Sequence, residues 1–151
     1  MDKYKQTVDN LFSNLLGYVP VIDYQEEDSE INLNLEIEPQ DSGLLIGYHG
    51  EVLTAIQLYL NLVYYQQFSE KKPVRLNINN YRQQRQQILE NLALSTAQKA
   101  LERNQPIPIH HLSSYERRIV HLFLSDRSDV KTYSQGEPPH RSLVIAPADK
   151  T

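Results

Sequence analysis

"INLNLEIEPQDSGLLIGYHGEVL", residues 31–53, changes its periodicity twice within 23 residues. Ile31, Leu33, Leu35 and Ile37 alternate with Asn32, Asn34, Glu36 and Glu38, the pattern of a strand with one buried and one wetted face. Pro39 to Ser42 then carries the start signals of a short helical turn. Gly47 and Gly50 follow, flanking Tyr48 and His49, and from Glu51 to about Phe68 apolar residues recur at helical spacing, with Leu53, Ile56, Leu60 and Val63 inward. A Gly-x-x-Gly turn lets the backbone approach a phosphate closely. A tight turn between two packed segments accounts for the same glycines.

Outward from this stretch, the flanks supply the rest of a small sheet. Val8, Leu11, Phe12 and Leu15 mark a first helix, and Gly17 stands where a C-terminal cap belongs. "YVPVIDY" reads as a short strand that Pro20 confines to an edge, followed by an acidic turn, "QEEDSE". After the central helix, whose Tyr59, Tyr64 and Tyr65 read as rim packing, "PVRLNIN" alternates with Val74, Leu76 and Ile78 inward. A long polar helix over residues 81–103 has a narrower stripe of Ile88, Leu89, Leu92 and Ala100, and "NQPIPIHHL" ends it because two close prolines cannot continue a helix. Ser113 and Glu116 have capping-box spacing at the start of a helix running to about Ser125. "DVKTYSQG" and "RSLVIAP" read as two strands joined through Gly136-Glu-Pro-Pro.

Composition narrows the function classes. The 151 residues carry a net charge of −4 and no cysteine, which excludes disulfides and thiolate chemistry. The N-terminal stretch mixes charges with apolar residues and does not read as a signal peptide, and no stretch approaches the ~20 apolar residues of a membrane span. A cytoplasmic protein is expected. The charge is unevenly divided. Residues 1–79 hold five basic and twelve acidic residues, a balance of −7, whereas residues 80–151 hold ten and seven, a balance of +3. The boundary is expected near residue 80, with the long helix assignable to either side. If either half attracts a polyanion by charge alone, it is the second.

Few chemistries survive inspection. His110, His111, His121 and His140 are a poor metal set without cysteine or a His-Glu-x-x-His pair, and no metal or other cofactor is expected. Neither a Gly-x-Ser-x-Gly elbow nor a Gly-Lys-Ser/Thr loop occurs, and no carboxylate pair sits in an apolar setting; the chain reads as non-catalytic. What remains is Arg117 and His121 in "SSYERRIVHLFL". Four residues apart on a helix, they project from one face about 6 Å apart along the axis. A guanidinium and an imidazole so placed can grip a phosphate, and a solvated helix face carries the same pair by chance.

Taken together, these two signals resemble a known arrangement. The order helix, strand, strand, "IGYHGE", helix, strand resembles a type II (prokaryotic) KH domain, whose Gly-x-x-Gly loop clamps the backbone of a short single strand. The tail "SSYERRIVHLFLSDRSDVKTYSQGEPPHRSLVIAP" resembles the R-3-H domain, named for its Arg-x-x-x-His signature. A KH domain followed at once by this module is the arrangement of the Jag family, the SpoIIIJ-associated RNA-binding proteins, and the resemblance covers nearly the whole chain. Two features differ: Jag proteins often carry an additional N-terminal domain and linker, whereas this sequence begins at the KH helix, and their loops usually hold Lys or Arg where this one holds Tyr48 and His49.

The resemblance implies an α+β protein, with a type II KH domain over residues 1–80 and a small α/β R-3-H domain over residues 81–151. It implies a non-catalytic protein of the bacterial cytoplasm that binds single-stranded RNA or single-stranded DNA, an RNA chaperone or post-transcriptional regulator linked to envelope growth. Gly47 and Gly50 would supply the backbone loop and Tyr48 and His49 its adaptable contacts, while Arg117 and His121 would hold phosphates, assisted by Arg118 and Arg141. A small stand-alone KH protein is the implied partner, and insertion into a membrane is not expected. The rival reading is an adaptor whose acidic KH half docks a protein instead of RNA.

Overall fold

The computed structural model describes residues 1–148, which divide into two compact units: residues 1–82 and residues 83 onward. The first runs α1 (Asp2–Leu16), β1 (Val21–Glu26), β2 (Ile31–Glu36), α2 (Pro39–Ile46), a 3-10 turn (Tyr48–Gly50), α3 (Glu51–Phe68) and β3 (Val74–Ile78). Its sheet has the order β1-β2-β3, with β2 antiparallel to β1 and parallel to β3. A parallel partner requires a crossover, which α2 and α3 provide. The alternation in β2 is realised: Ile31, Leu33 and Leu35 are buried opposite Val74, Leu76 and Ile78. Against that face pack Tyr4, Val8 and Phe12 of α1 and Leu53, Ile56, Leu60 and Tyr64 of α3. Gly17 closes α1 in the left-handed conformation at φ 81°.

Side-chain amides complete the backbone pairing where the sheet alone cannot. Asn61 of α3 accepts from the Val74 amide at 2.8 Å and donates to its carbonyl at 3.0 Å, and Gln57 accepts from the Leu76 amide at 3.0 Å. These bonds tie β3 to the helix above it. Asn79 does the same for Ile37, bridging its N–H and C=O at 3.0 and 2.9 Å.

Three expectations for this unit need correction. Tyr64 is core, not rim: it is buried edge-on against Tyr4 with ring centroids 5.3 Å apart. Burial also pushes the Tyr4 hydroxyl above the usual phenol range, with its proton donated to the Leu60 carbonyl at 3.2 Å. Val63 is only half-buried beside it. The acidic turn is shorter than read, because β1 extends through Gln25 and Glu26 to pair with Asn32 and Ile31.

The second unit contains α4 (Tyr81–Arg103, its first two residues in the first unit), β4 (Ile107–Ile109), α5 (Ser114–Leu124), β5 (Val130–Gln135) and β6 (Ser142–Pro147). The sheet order β4-β6-β5 is antiparallel throughout, with β6 central and buried along Ser142–Ala146. Leu89, Ala93 and Ala97 of α4 and Val120 and Leu124 of α5 meet Leu143 and Ile145. The α4 stripe therefore runs through small alanines, which bring the helix close to its neighbours, while Ile88 and Leu92 turn outward at 55% and 36% exposure. The strand β4, in a segment read only as a helix stop, is also a finding. Pro108 lacks an N–H, and the edge position of β4 tolerates that: it stands opposite Val144, between the pairs Ile107–Ile145 and Ile109–Leu143.

Candidate nucleic-acid interface

The Gly-x-x-Gly loop links α2 to α3 with three successive departures from ordinary backbone. Gly47 has φ 70° and ψ −171°, His49 has φ 52°, and Gly50 has φ 81° as the residue before α3. The Gly47 conformation belongs to a region essentially reserved for glycine. A Cβ there would lie 2.3 Å from Cγ2 of Val52, and one on Gly50 would lie 3.0 Å from the Tyr81 ring. No side chain caps the first turn of α3, so its amides face the loop. Tyr48 is 61% exposed and stacks on His49, centroids 3.9 Å apart and planes at 24°.

These values give a prediction. Gly47→Ala combines a forbidden backbone region with a collision against a β-branched side chain, and is expected to cost about 2 kcal/mol or more of stability. Chemical denaturation measures it. A loss under about 0.5 kcal/mol would show that the loop relaxes freely and does not depend on glycine here.

In the second unit the decisive element is α5. Ser113 accepts from the Glu116 amide at 3.1 Å while its own N–H donates to Glu116 Oε2 at 2.9 Å, so the capping box is reciprocal. The other carboxylate oxygen, Oε1, accepts from Arg85 Nε of α4 at 2.7 Å. The helix start is thus fixed by a buried carboxylate, and the residues that follow inherit its phase.

Arg117, Arg118 and His121 of α5, Thr132 and Ser134 of β5, and Arg141 just before β6 line one open concavity of about 530 Å³. All four R-3-H site residues expected from the sequence are therefore brought together. His121 Nδ1 lies 2.5 Å from Thr132 Oγ1, which leaves Nε2 as the ring nitrogen for a ligand. Arg117 donates from Nη1 to the Leu112 carbonyl at 2.8 Å and from Nη2 to Ser114 Oγ at 2.9 Å. Of its five N–H groups, three remain for an anion. The side chains of Arg118 and Arg141 make no hydrogen bond or ion pair among the described residues. Three guanidiniums and an imidazole surround one concavity with no carboxylate in its lining, a combination whose charge and hydrogen-bond donors suit an anion.

Sequence reasoning missed Thr132 and Ser134. Alternation along β5 from buried Val130 puts both on the α5 side of the strand, so the signal was present in "VKTYS". It also missed that Arg117 is partly committed to the helix start, which only the three-dimensional path of residues 112–114 reveals.

Comparison with known proteins assigns a family to each part of the chain. The family model described as the KhpA/KhpB KH domain matches residues 5–78, and that of the R-3-H domain matches residues 87–147. The RNA-binding protein KhpB of Clostridium symbiosum is 33% identical over 146 residues, 96% of this chain and 65% of that protein. KhpB of Streptococcus pneumoniae is 30% identical over 146 residues, covering 91% of this chain and 44% of its own length, and KhpB of Bacillus subtilis is 32% identical over 126 residues, covering 82% and 61%. The chain spans about half to two thirds of the length of these relatives. With a KH domain of the KhpA/KhpB type and an R-3-H domain in succession, it belongs to the Jag family of KH and R-3-H proteins.

Proposed function

We propose that this chain is a non-catalytic binder of single-stranded RNA, acting in the bacterial cytoplasm as an RNA chaperone or post-transcriptional regulator, and able to take single-stranded DNA in the same site. The observation that carries it is the concavity formed by Arg117, Arg118, His121 and Arg141, in the half of the chain whose balance is +3. Relatives named RNA-binding proteins at 30–33% identity support it. No helix among the described residues is long and apolar enough to cross a membrane. In this reading the R-3-H unit, residues 81–151, supplies most of the charge and the KH unit, residues 1–80, supplies a backbone clamp through Gly47 and Gly50. Titrating a fluorescent single-stranded oligoribonucleotide at several salt concentrations tests it. Phosphate-driven binding weakens steeply with salt, whereas an apolar protein-docking surface gives RNA no such slope.

The KH loop makes its own prediction. Tyr48 and His49 occupy the positions where such loops carry Lys or Arg. Replacing Tyr48 by Lys and His49 by Arg adds two cations beside the α3 amides, and should tighten RNA binding and steepen the salt dependence by roughly one counterion per new phosphate contact. Unchanged affinity and slope would remove this loop from the RNA path.

A protein partner is supported by α3. Ala55, Leu58, Leu62 and Tyr65 stand opposite its buried Leu53, Ile56 and Leu60, at alternating spacings of three and four. A helix apolar on both faces calls for cover on the second. An antiparallel helix of the same pattern would set Leu58 against Leu62 and Ala55 against Tyr65, and would bring Glu51 at one end toward Lys71 at the other. That geometry suits another KH domain, and a small stand-alone KH protein is the partner proposed. The Leu58→Glu, Leu62→Glu double variant should abolish co-elution with the small KH protein of the same genome and leave RNA binding by the R-3-H unit intact. Co-elution that survives both charges would move the contact off α3.

A further inference from the structure

The phosphate site on α5 lies beside an aromatic ring with no structural duty. Tyr115 is 70% exposed, more than any other aromatic side chain among the described residues. Its ring and hydroxyl make no hydrogen bond, ring contact or ion pair within them. Two other tyrosines lie near the candidate sites: Tyr48 stacks on His49, and Tyr133 of β5, 42% exposed, belongs to the lining of the concavity itself. At about 100° per residue, Tyr115 sits roughly 140° around the helix from buried Val120, and Arg118 and Leu122 sit roughly 160° from it on the same outer ridge. Tyr115 and Arg118, three residues apart, are surface neighbours. Arg118 in turn lines the concavity that holds Arg117 and His121.

A lone exposed tyrosine is ordinary. What distinguishes this one is its place next to an unpaired guanidinium on the rim of a phosphate site. Binding of single strands combines a cationic path for the backbone with aromatic faces on which bases stack. The phosphate groups have their path in the concavity; the bases need a flat apolar face just outside it, and the ridge offers one.

We propose that Tyr115 is a base-stacking position of the R-3-H unit, receiving one unpaired base of the strand whose phosphates lie on Arg117 and His121, with Arg118 flanking the stacked base. The proposal rests on the RNA-binding reading above and adds to it where a base, as opposed to the backbone, is held. Because a ring face serves every base, the contact gives affinity with little sequence preference, strongest for the larger purines.

Two probes separate the parts: a short mixed-sequence oligoribonucleotide, and an all-abasic ribose–phosphate strand of the same length. With the full chain, Tyr115→Ala should weaken binding to the oligoribonucleotide by about 5- to 150-fold, the range for losing one base–aromatic stack. Tyr115→Phe should stay within about twofold of the natural protein, because the ring and not the hydroxyl carries the contact. On the abasic strand, Tyr115→Ala and the natural protein should bind alike, while Arg117→Ala should weaken both probes. The chain contains no tryptophan, so Tyr115→Trp adds a single indole whose fluorescence should be quenched by the oligoribonucleotide and not by the abasic strand. Equal binding of the oligoribonucleotide by Tyr115→Ala and the natural protein, or an unquenched indole at saturation, would overturn the stacking position and leave the phosphate site standing. Absence of salt-dependent binding of either probe by the natural protein would overturn the RNA-binding reading itself.

Discussion

Glu116→Ala is expected to destabilise the second unit by about 3 kcal/mol. Glu116 is 3% exposed and its carboxylate does two jobs at once. One oxygen closes the capping box on the Ser113 amide, and the other holds Arg85 of α4, whose side chain is 26% exposed. Losing the cap costs about 1 kcal/mol. Removing one member of the pair costs a further ~2 kcal/mol, below the cost for a fully buried pair because the stranded guanidinium keeps some access to water. Glu116→Gln keeps an acceptor for Ser113 and loses the charge facing Arg85, so its cost should fall between that of the natural protein and the alanine variant. For a unit of this size, ~3 kcal/mol corresponds to a melting shift of more than about 10 °C. A shift under about 3 °C for Glu116→Ala would mean that α4 and α5 are held together by their apolar contacts alone.

This pair also shows where sequence legibility ended. The capping box could be read from Ser113 and Glu116, because its partners are three residues apart and the geometry is local. That the same carboxylate reaches Arg85, 31 residues earlier, depends on how two helices pack, and no periodicity encodes it. The same division runs through the fold. The strands with clean alternation and the helix limits at Glu51, Phe68, Tyr81 and Arg103 were legible, since period and caps are local signals. The three-residue strand β4 was not, because Pro108 argues against a strand unless an edge position beside β6 is already known. Tyr64 looked like rim because tyrosine is amphipathic; a carbonyl for Tyr4 and a ring-edge pocket against Tyr64 turned both into core. In the site, the pair at positions 117 and 121 could be read from spacing, but the threonine that orients His121 comes from a strand eleven residues on.

That threonine shapes the last expectation. The Arg117→Ala, His121→Ala double variant should lose on the order of 100-fold in affinity for single-stranded RNA, with Arg117→Ala alone responsible for at least tenfold. A hydrogen bond to a charged group is worth roughly 1.5–3 kcal/mol, and Arg117 stays charged at any working pH. The loss should be similar across RNA sequences and should lower the salt slope by about one per contact removed, because a phosphate contact carries no base information. The Arg117 bonds to Leu112 and Ser114 mean that Arg117→Ala also costs about 1 kcal/mol of stability, so binding must be measured well below the melting transition. His121 adds a smaller term. The Thr132 hydroxyl engages Nδ1, so Nε2 is the ring nitrogen left for a phosphate, and His121→Ala alone should weaken binding by less than Arg117→Ala. Thr132→Val should weaken binding by releasing the His121 ring from this orientation, and Thr132→Ser should restore it. Undiminished RNA binding by the Arg117→Ala, His121→Ala double variant, with its fold intact, would take the phosphate site away from α5 and favour the adaptor whose acidic half docks a protein.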